Sequence, residues 1–147
     1  MKGIDLREVE FSSDGTSDSL TLAMSPALFH ENLKREISTA KREDRELAIL
    51  VTSLKPEHFD SVAKFQKSLI ELAFALRSGL RGGDFFARVS DRGFWVLLRT
   101  SEKNADVIIQ RLNLGRPEEL EICIVARNFD DHAEWIERVD QLQFKAN

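Results

Sequence analysis

An α/β sandwich, with helices flanking a mixed central sheet, is the fold class that this chain predicts. Three observations carry it: apolar stripes at helical spacing alternate with short apolar runs of strand length, one hairpin signal interrupts them, and the order closes on a helix. Ser25-Pro26 opens the first helix, a capping hydroxyl followed by proline at the first helical position. Behind it Phe29, Leu33, Ile37 and Ala40 fall four or three apart and predict a helix to about Arg42. Leu47 to Leu54, with Ile49 and Val51, is a buried strand. Phe59, Ala63, Leu69, Leu72, Ala73 and Leu76 predict a second helix from Glu57 to Ser78, ended by Gly79 and the Gly82-Gly83 pair. Phe85–Val89 and Phe94–Leu98 are strands around Ser90-Asp91-Arg92-Gly93, a turn in which the glycine is expected to supply positive φ. Ser101 caps a helix carrying Ala105, Ile108, Ile109 and Leu112, Glu119–Ala126 is a further strand, and Asp131 to about Phe144 is the closing helix. Met1 to Ser17 is polar and predicts a flexible leader, 1–17, ahead of one domain, 18–147.

Composition excludes several classes. A chain of 147 residues with 42% apolar and 31% charged residues can bury one core without staples. The net charge of −4 argues against nucleic acid or a membrane surface as partner, since both select a basic excess. Cys123 is the only cysteine, so no internal disulfide forms. With no signal peptide and no long apolar run, the expected location is the cytoplasm. His30, His58 and His132 are scattered without ligand spacing; they read as surface residues, and neither a metal site nor a cofactor is expected.

In order and spacing these residues resemble the GGDEF domain, the palm-like nucleotidyl-cyclase fold of the diguanylate cyclases, which condense two GTP into cyclic di-GMP. Asp18-Ser-Leu-Thr-Leu-Ala-Met-Ser-Pro-Ala-Leu-Phe29 is similar to that family's opening Asp-x-Leu-Thr-Gly-Leu-x-Asn-Arg-x-x-Phe. Leu69 to Leu76 is similar to its Leu-x-x-Val-Ala-x-x-Leu helix. Ala87-Arg88-Val89 followed by Phe94-Trp-Val-Leu-Leu98 matches the frame around its signature. Val139-Asp-Gln-Leu-Gln-Phe-Lys-Ala146 resembles its closing Ala-Asp-x-Ala-Leu-Tyr-x-Ala-Lys.

That frame sets aside Gly82-Gly83-Asp84-Phe85-Phe86 as the signature, although it looks like Gly-Gly-Asp-Glu-Phe. In register, the signature positions are Ser90, Asp91, Arg92, Gly93 and Phe94, and the phenylalanine alone is kept. The family's reaction uses two divalent metals, which demand hard oxygen ligands from a first-strand Asp-x-Asp and the hairpin glutamate. Here Ser53 and Lys55 occupy the aspartate positions and Gly93 the glutamate position. The segment from Ser53 to Leu69 is also shorter than the family's, where guanine is recognised, and Asn147 replaces the closing lysine. The resemblance therefore implies a degenerate, catalytically inactive member with no catalytic residues.

It also implies a ligand site. In the family an Arg-x-x-Asp lies five residues ahead of the signature and binds the product as an inhibitor. Arg81-Gly-Gly-Asp84 has that spacing, with Phe85 to Val89 intervening. An arginine fork suits guanine O6 and N7 or a phosphate, and an aspartate accepts from guanine N–H groups. Arg111, on the following helix, is the candidate second arginine. Arg81 and Asp84 fit an exposed ion pair equally well, and Arg111 fits a solvated helix face. Two functions stay open: cyclic di-GMP signalling through binding at Arg81, Asp84 and Arg111, or a nucleotide-free interaction module with a protein partner or a second copy of the chain.

Overall fold

The computed structural model describes residues 3–80, 82–100, 105–110 and 118–146, the last four of them as backbone alone. The helices are α1 (Pro26–Glu43), α2 (Val62–Gly79), helical residues 105–110 (α3) and α4 (His132–Ala146). The strands are β1 (Ala48–Leu54), β2 (Phe85–Ser90), β3 (Gly93–Leu98) and β4 (Leu120–Ala126).

Local chemistry explains where the helices begin. The Ser25 hydroxyl accepts from the Leu28 N–H at 3.2 Å, with Pro26 just inside α1. Asp44 closes that helix in a left-handed conformation at φ 52, its N–H donating to the Ala40 carbonyl. α4 opens on a capping box: Glu134 N–H donates to Asp131 Oδ1 at 2.9 Å, and Asp131 N–H donates to Glu134 Oε1 at 3.2 Å. The second helix starts later than its spacing suggests. Pro56–His58 forms a 3-10 turn, Phe59 buries itself against Phe65, and the Ser61 side chain caps α2 through Lys64 N–H. Ala63 is exposed, and Phe65 begins the buried stripe instead.

The sandwich is as predicted, but the sheet is not mixed. Its order is β2-β3-β1-β4, and each of the three pairings between named strands is antiparallel. The α2 crossover does make β1 and β2 run the same way, as a β–helix–β pattern implies. The hairpin strand β3 lies between them, so co-directional strands are never neighbours. β1 does the same for β3 and β4. This is the split β-α-β arrangement.

Alternation along the strands divides the core into two. Leu50, Leu54, Phe86, Phe94, Val96, Leu98 and Leu120 meet α2 and Ala105 of α3. Ile49, Val51, Trp95, Leu97 and Val125 meet α1 and α4, where Trp135 is fully buried and donates its indole N–H to the Val125 carbonyl at 3.0 Å. Phe94 and Trp95 therefore belong to the core and present no aromatic surface. Residues 3–17, expected as a flexible leader, pack: Val9 is buried, Ile4 and Leu6 lie on the α2-side core, and Glu10 N–H donates to Gln66 Oε1 at 2.7 Å. Polar composition hid this packing because so few apolar side chains, set among polar ones, carry it.

Candidate functional site

The hairpin end of the sheet is built on a buried ion pair. Arg88 lies in the middle of β2 and is fully buried, and its Nη1 donates to Asp18 Oδ1 and Oδ2 at 3.1 and 3.2 Å and to the Glu10 carbonyl at 2.6 Å. Its Nη2 donates to the Asp91 carbonyl at 3.0 Å. Asp18, only 2% exposed, also accepts from the Thr21 N–H and hydroxyl at 2.8 and 2.7 Å. Burial pulls the Arg88 guanidinium below its ordinary value, and Asp18 opposes that pull. Two motifs read separately in the sequence, the opening Asp-x-Leu-Thr and the Ala-Arg of the hairpin, thus meet in one network. It fixes the turn, because the Arg88 fork holds the Asp91 backbone.

The turn itself differs from expectation. Gly93 is not at positive φ. It pairs with Ser90 and Ser53, and a Cβ placed on it would lie 2.1 Å from the Thr52 carbonyl oxygen. Glycine is needed there for close approach of backbone to backbone. Register places Ser53, Gly93 and Glu121 in one row across β1, β3 and β4. Lys55 Nζ lies 4.0 Å from Glu121 Oε1, and Arg92 Nε lies 3.7 Å from Asp91 Oδ1. A hydroxyl, a cation already matched by a carboxylate and a glycine without room for a side chain do not fit a pair of divalent metals, which require several oxygen ligands. Among the described residues no three histidine, cysteine or acidic side chains are grouped for a metal.

The opposite end holds the Arg-x-x-Asp segment. Arg81 and Arg111 lie outside the described residues. Asp84, half-buried just before β2, accepts from the Arg99 backbone N–H at 3.0 Å. Arg99 follows β3, and its side chain forks onto Glu36 of α1, Nε to Oε2 at 2.8 Å and Nη2 to Oε1. Glu36 and Asp84 hold its pKa above the ordinary arginine value, the hydrogen bond to Glu36 being the main cause. Gly83 sits at φ 93, and a Cβ there would overlap the Arg99 guanidinium, 2.1 Å from Nη1. On the side where a Gly83 side chain would stand, the turn is therefore occupied by this guanidinium, while Gly82 has open space beside it. Sequence reasoning passed over Arg99 because only the β2–β3 register, which sets Phe85 against Leu97, brings it beside Asp84.

Of the three histidines expected at the surface, His58 is exposed, and the other two need correcting. His30 on α1 and His132 on α4 are brought together from 102 residues apart, Nδ1 to Nε2 at 3.3 Å, and both are partly buried. Desolvation lowers the pKa of each, and for His132 the His30 ring adds to it. No local pattern could reveal a pair made by helix packing.

With this geometry described, solved structures give the fold its class. The chain is similar to a microbial GGDEF domain in a novel interaction mode with cyclic di-GMP, at 19% identity over 90% of this chain and 92% of that one, with a TM-score of 0.75. It is similar to the GGDEF domain of DgcB from Caulobacter crescentus in complex with c-di-GMP, at 13% identity over 92% and 91%, TM-score 0.77. The diguanylate cyclase SiaD from Pseudomonas aeruginosa, in complex with its activator SiaC, matches at 17% identity over 88% of this chain and 57% of that one, TM-score 0.73. No protein-family model matches the sequence, and no curated protein matches it. The chain has the GGDEF fold. No helix among the described residues is long and apolar enough to cross a membrane.

Proposed function

We propose that this chain is a degenerate GGDEF domain that acts in cyclic di-GMP signalling by binding the dinucleotide at Arg81 and Asp84, without synthesising it. The observation that carries the reading is the contrast in donor sets. The positions that would hold metal are Ser53, the Lys55–Glu121 pair and a Gly93 with no space for a glutamate side chain. Asp84 stays half-exposed at the other end, beside an arginine fixed in place by Glu36. Arg81 supplies the fork to guanine or phosphate and Asp84 the acceptor for guanine N–H groups. Arg111 remains the arginine proposed from the following helix, and the Arg99 guanidinium over Gly83 offers a flat face for a base. Solved domains of this fold with cyclic di-GMP support the choice of ligand.

A second reading, a nucleotide-free interaction module, draws on a different surface. Ile70 and Phe74, one turn apart on α2, are 46% and 69% exposed. Arg77, on the same helix, donates to the Thr21 carbonyl next to Leu22, which is also exposed. SiaD in complex with its activator SiaC shows a protein partner on a protein that includes this fold.

Calorimetric titration with cyclic di-GMP separates the two. The wild type is expected to bind, and Arg81→Ala and Asp84→Ala each to lose at least about tenfold, as charge-assisted contacts of roughly 1.5–3 kcal/mol imply. A wild type that does not bind leaves the interaction module standing. Incubation with GTP and magnesium is expected to give no cyclic product; any product overturns the reading of inactivity.

A further inference from the structure

Arg127 follows β4 and is only 6% exposed. Among the described residues its guanidinium makes one hydrogen bond, Nη1 to the Asp130 carbonyl at 2.9 Å, and no ion pair, while its Nε is buried without any partner. An arginine carries five N–H donors, and a buried guanidinium is ordinarily matched by a carboxylate because an uncompensated buried charge is strongly unfavourable. The neighbouring carboxylate, Asp130, is engaged elsewhere: its Oδ2 accepts from Arg138 Nε at 2.6 Å. Arg138 Nη2 also donates to the Arg127 backbone carbonyl at 3.1 Å, which holds the main chain at this position and leaves the guanidinium unmatched. Among the described residues the fold supplies the Arg127 guanidinium with one carbonyl oxygen and leaves most of its donors unused.

Arg127 lines a cavity of about 550 Å³ with Asp44, Arg45, Glu46, Asn128 and Phe129 along its walls. That volume is in the range that encloses a small organic molecule. Arg45 turns one nitrogen to Glu43, and its Nε too is buried without a partner. Asn128 and Phe129 follow at φ 51 and 69, successive left-handed residues, and Phe129 stands 86% exposed at the cavity mouth. Core packing does not explain an aromatic ring held out in this way. Asp44 and Glu46 offset the two arginines in charge, so attraction of an anion here depends on the short-range fork of Arg127 and not on a general positive field.

We propose that this cavity is a binding site for a small aromatic phosphate: the oxyanion takes the unused donors of Arg127 and Arg45, and the ring lies against Phe129. Phosphate suits the donor set better than a carboxylate, since it presents more oxygens to two guanidinium groups. The site lies at the end of the β1–β4 pair, where β1 begins and β4 finishes, and is independent of the Arg81–Asp84 reading.

Two probes test it by NMR titration of the folded protein, inorganic phosphate for the anion alone and phenyl phosphate for anion and ring together. Saturable binding of phenyl phosphate, at least tenfold tighter than inorganic phosphate, with shifts at Asn128 and Phe129, is the expected result. Phe129→Ala, an exposed change that leaves the core intact, should erase the preference between the probes. Arg127→Lys should weaken both at least tenfold, and if that variant does not fold, Arg45→Gln should weaken both in its place. Absence of saturable binding by either probe overturns the proposal, as does phenyl phosphate affinity unchanged in Phe129→Ala and Arg45→Gln.

Discussion

At the hairpin end of the sheet Arg88, Arg92 and Lys55 all face carboxylates within the chain, whereas at the other end Arg127 keeps most of its donors and Arg99 lies over a glycine turn beside a half-exposed aspartate. Both ends belong to the same four antiparallel strands, with a core cluster on each face of the sheet. The difference separates charges that hold backbone from charges that lie beside a turn or a cavity. At the hairpin, Arg88 holds the backbone of the turn, and Arg92 and Lys55 lie beside carboxylates. At the far end, Arg99 also forks onto Glu36 but lies over the Gly83 turn, and Arg127 lines a cavity.

The sharpest way to break this contrast is to remove the hairpin pair. Asp18→Ala leaves the Arg88 guanidinium buried and unmatched, and denaturant unfolding should show a loss of about 3–5 kcal/mol. Replacing both partners together by apolar residues should recover part of that loss. A loss below about 1 kcal/mol would mean the pair is a bystander. Next in size is Gly93→Glu, which places there the glutamate that the resemblance to GGDEF domains implies. The new side chain meets the Thr52 carbonyl, so the expected result is destabilisation of about 1–3 kcal/mol with no gain in magnesium affinity. Tight metal binding by this variant would contradict the proposed loss of the metal site.

The smallest effect concerns His30 and His132, which join α1 to α4 beneath the sheet. Both pKa values are depressed in the folded state, so the unfolded chain binds more protons just below the ordinary histidine pKa. Stability is therefore full above about pH 6.5 and declines as pH falls from there toward the depressed folded values. Asp140 faces His30, Asp131 faces His132, and Lys34 faces both, so a charged pair is only partly compensated. Thermal unfolding followed from about pH 7 to about pH 5.5 should show this decline, and His30→Gln should flatten it. An unchanged slope in the variant would assign the decline to other groups.

Much of the fold was legible because burial and period coincide. Phe29, Leu33, Ile37 and Ala40 form the buried stripe of α1, and Ser25 caps it, as their spacing predicts. The strand runs were found within a residue or two. What escaped was non-local. The antiparallel sheet required knowing that β3 inserts between β1 and β2, which no segment states by itself. Val9 escaped because its neighbours are polar. At the site, the one-row placement of Ser53 and Gly93 follows from the register, while the need for glycine at 93 was not legible, since Thr52 meets it only across the sheet. Arg99 and Arg127 gave no signal at all. An arginine after a strand looks alike whether it is solvated or enclosed.

The most direct test of the contrast between the two ends is an amide NMR shift map of the uniformly labelled chain titrated with cyclic di-GMP. The account predicts shifts concentrated at Gly82, Gly83, Asp84 and Arg99, with Ser90 to Gly93 and Ser53 unmoved and no change on adding magnesium. Shifts centred on the hairpin and strengthened by magnesium, or no shifts anywhere on the chain, would contradict it.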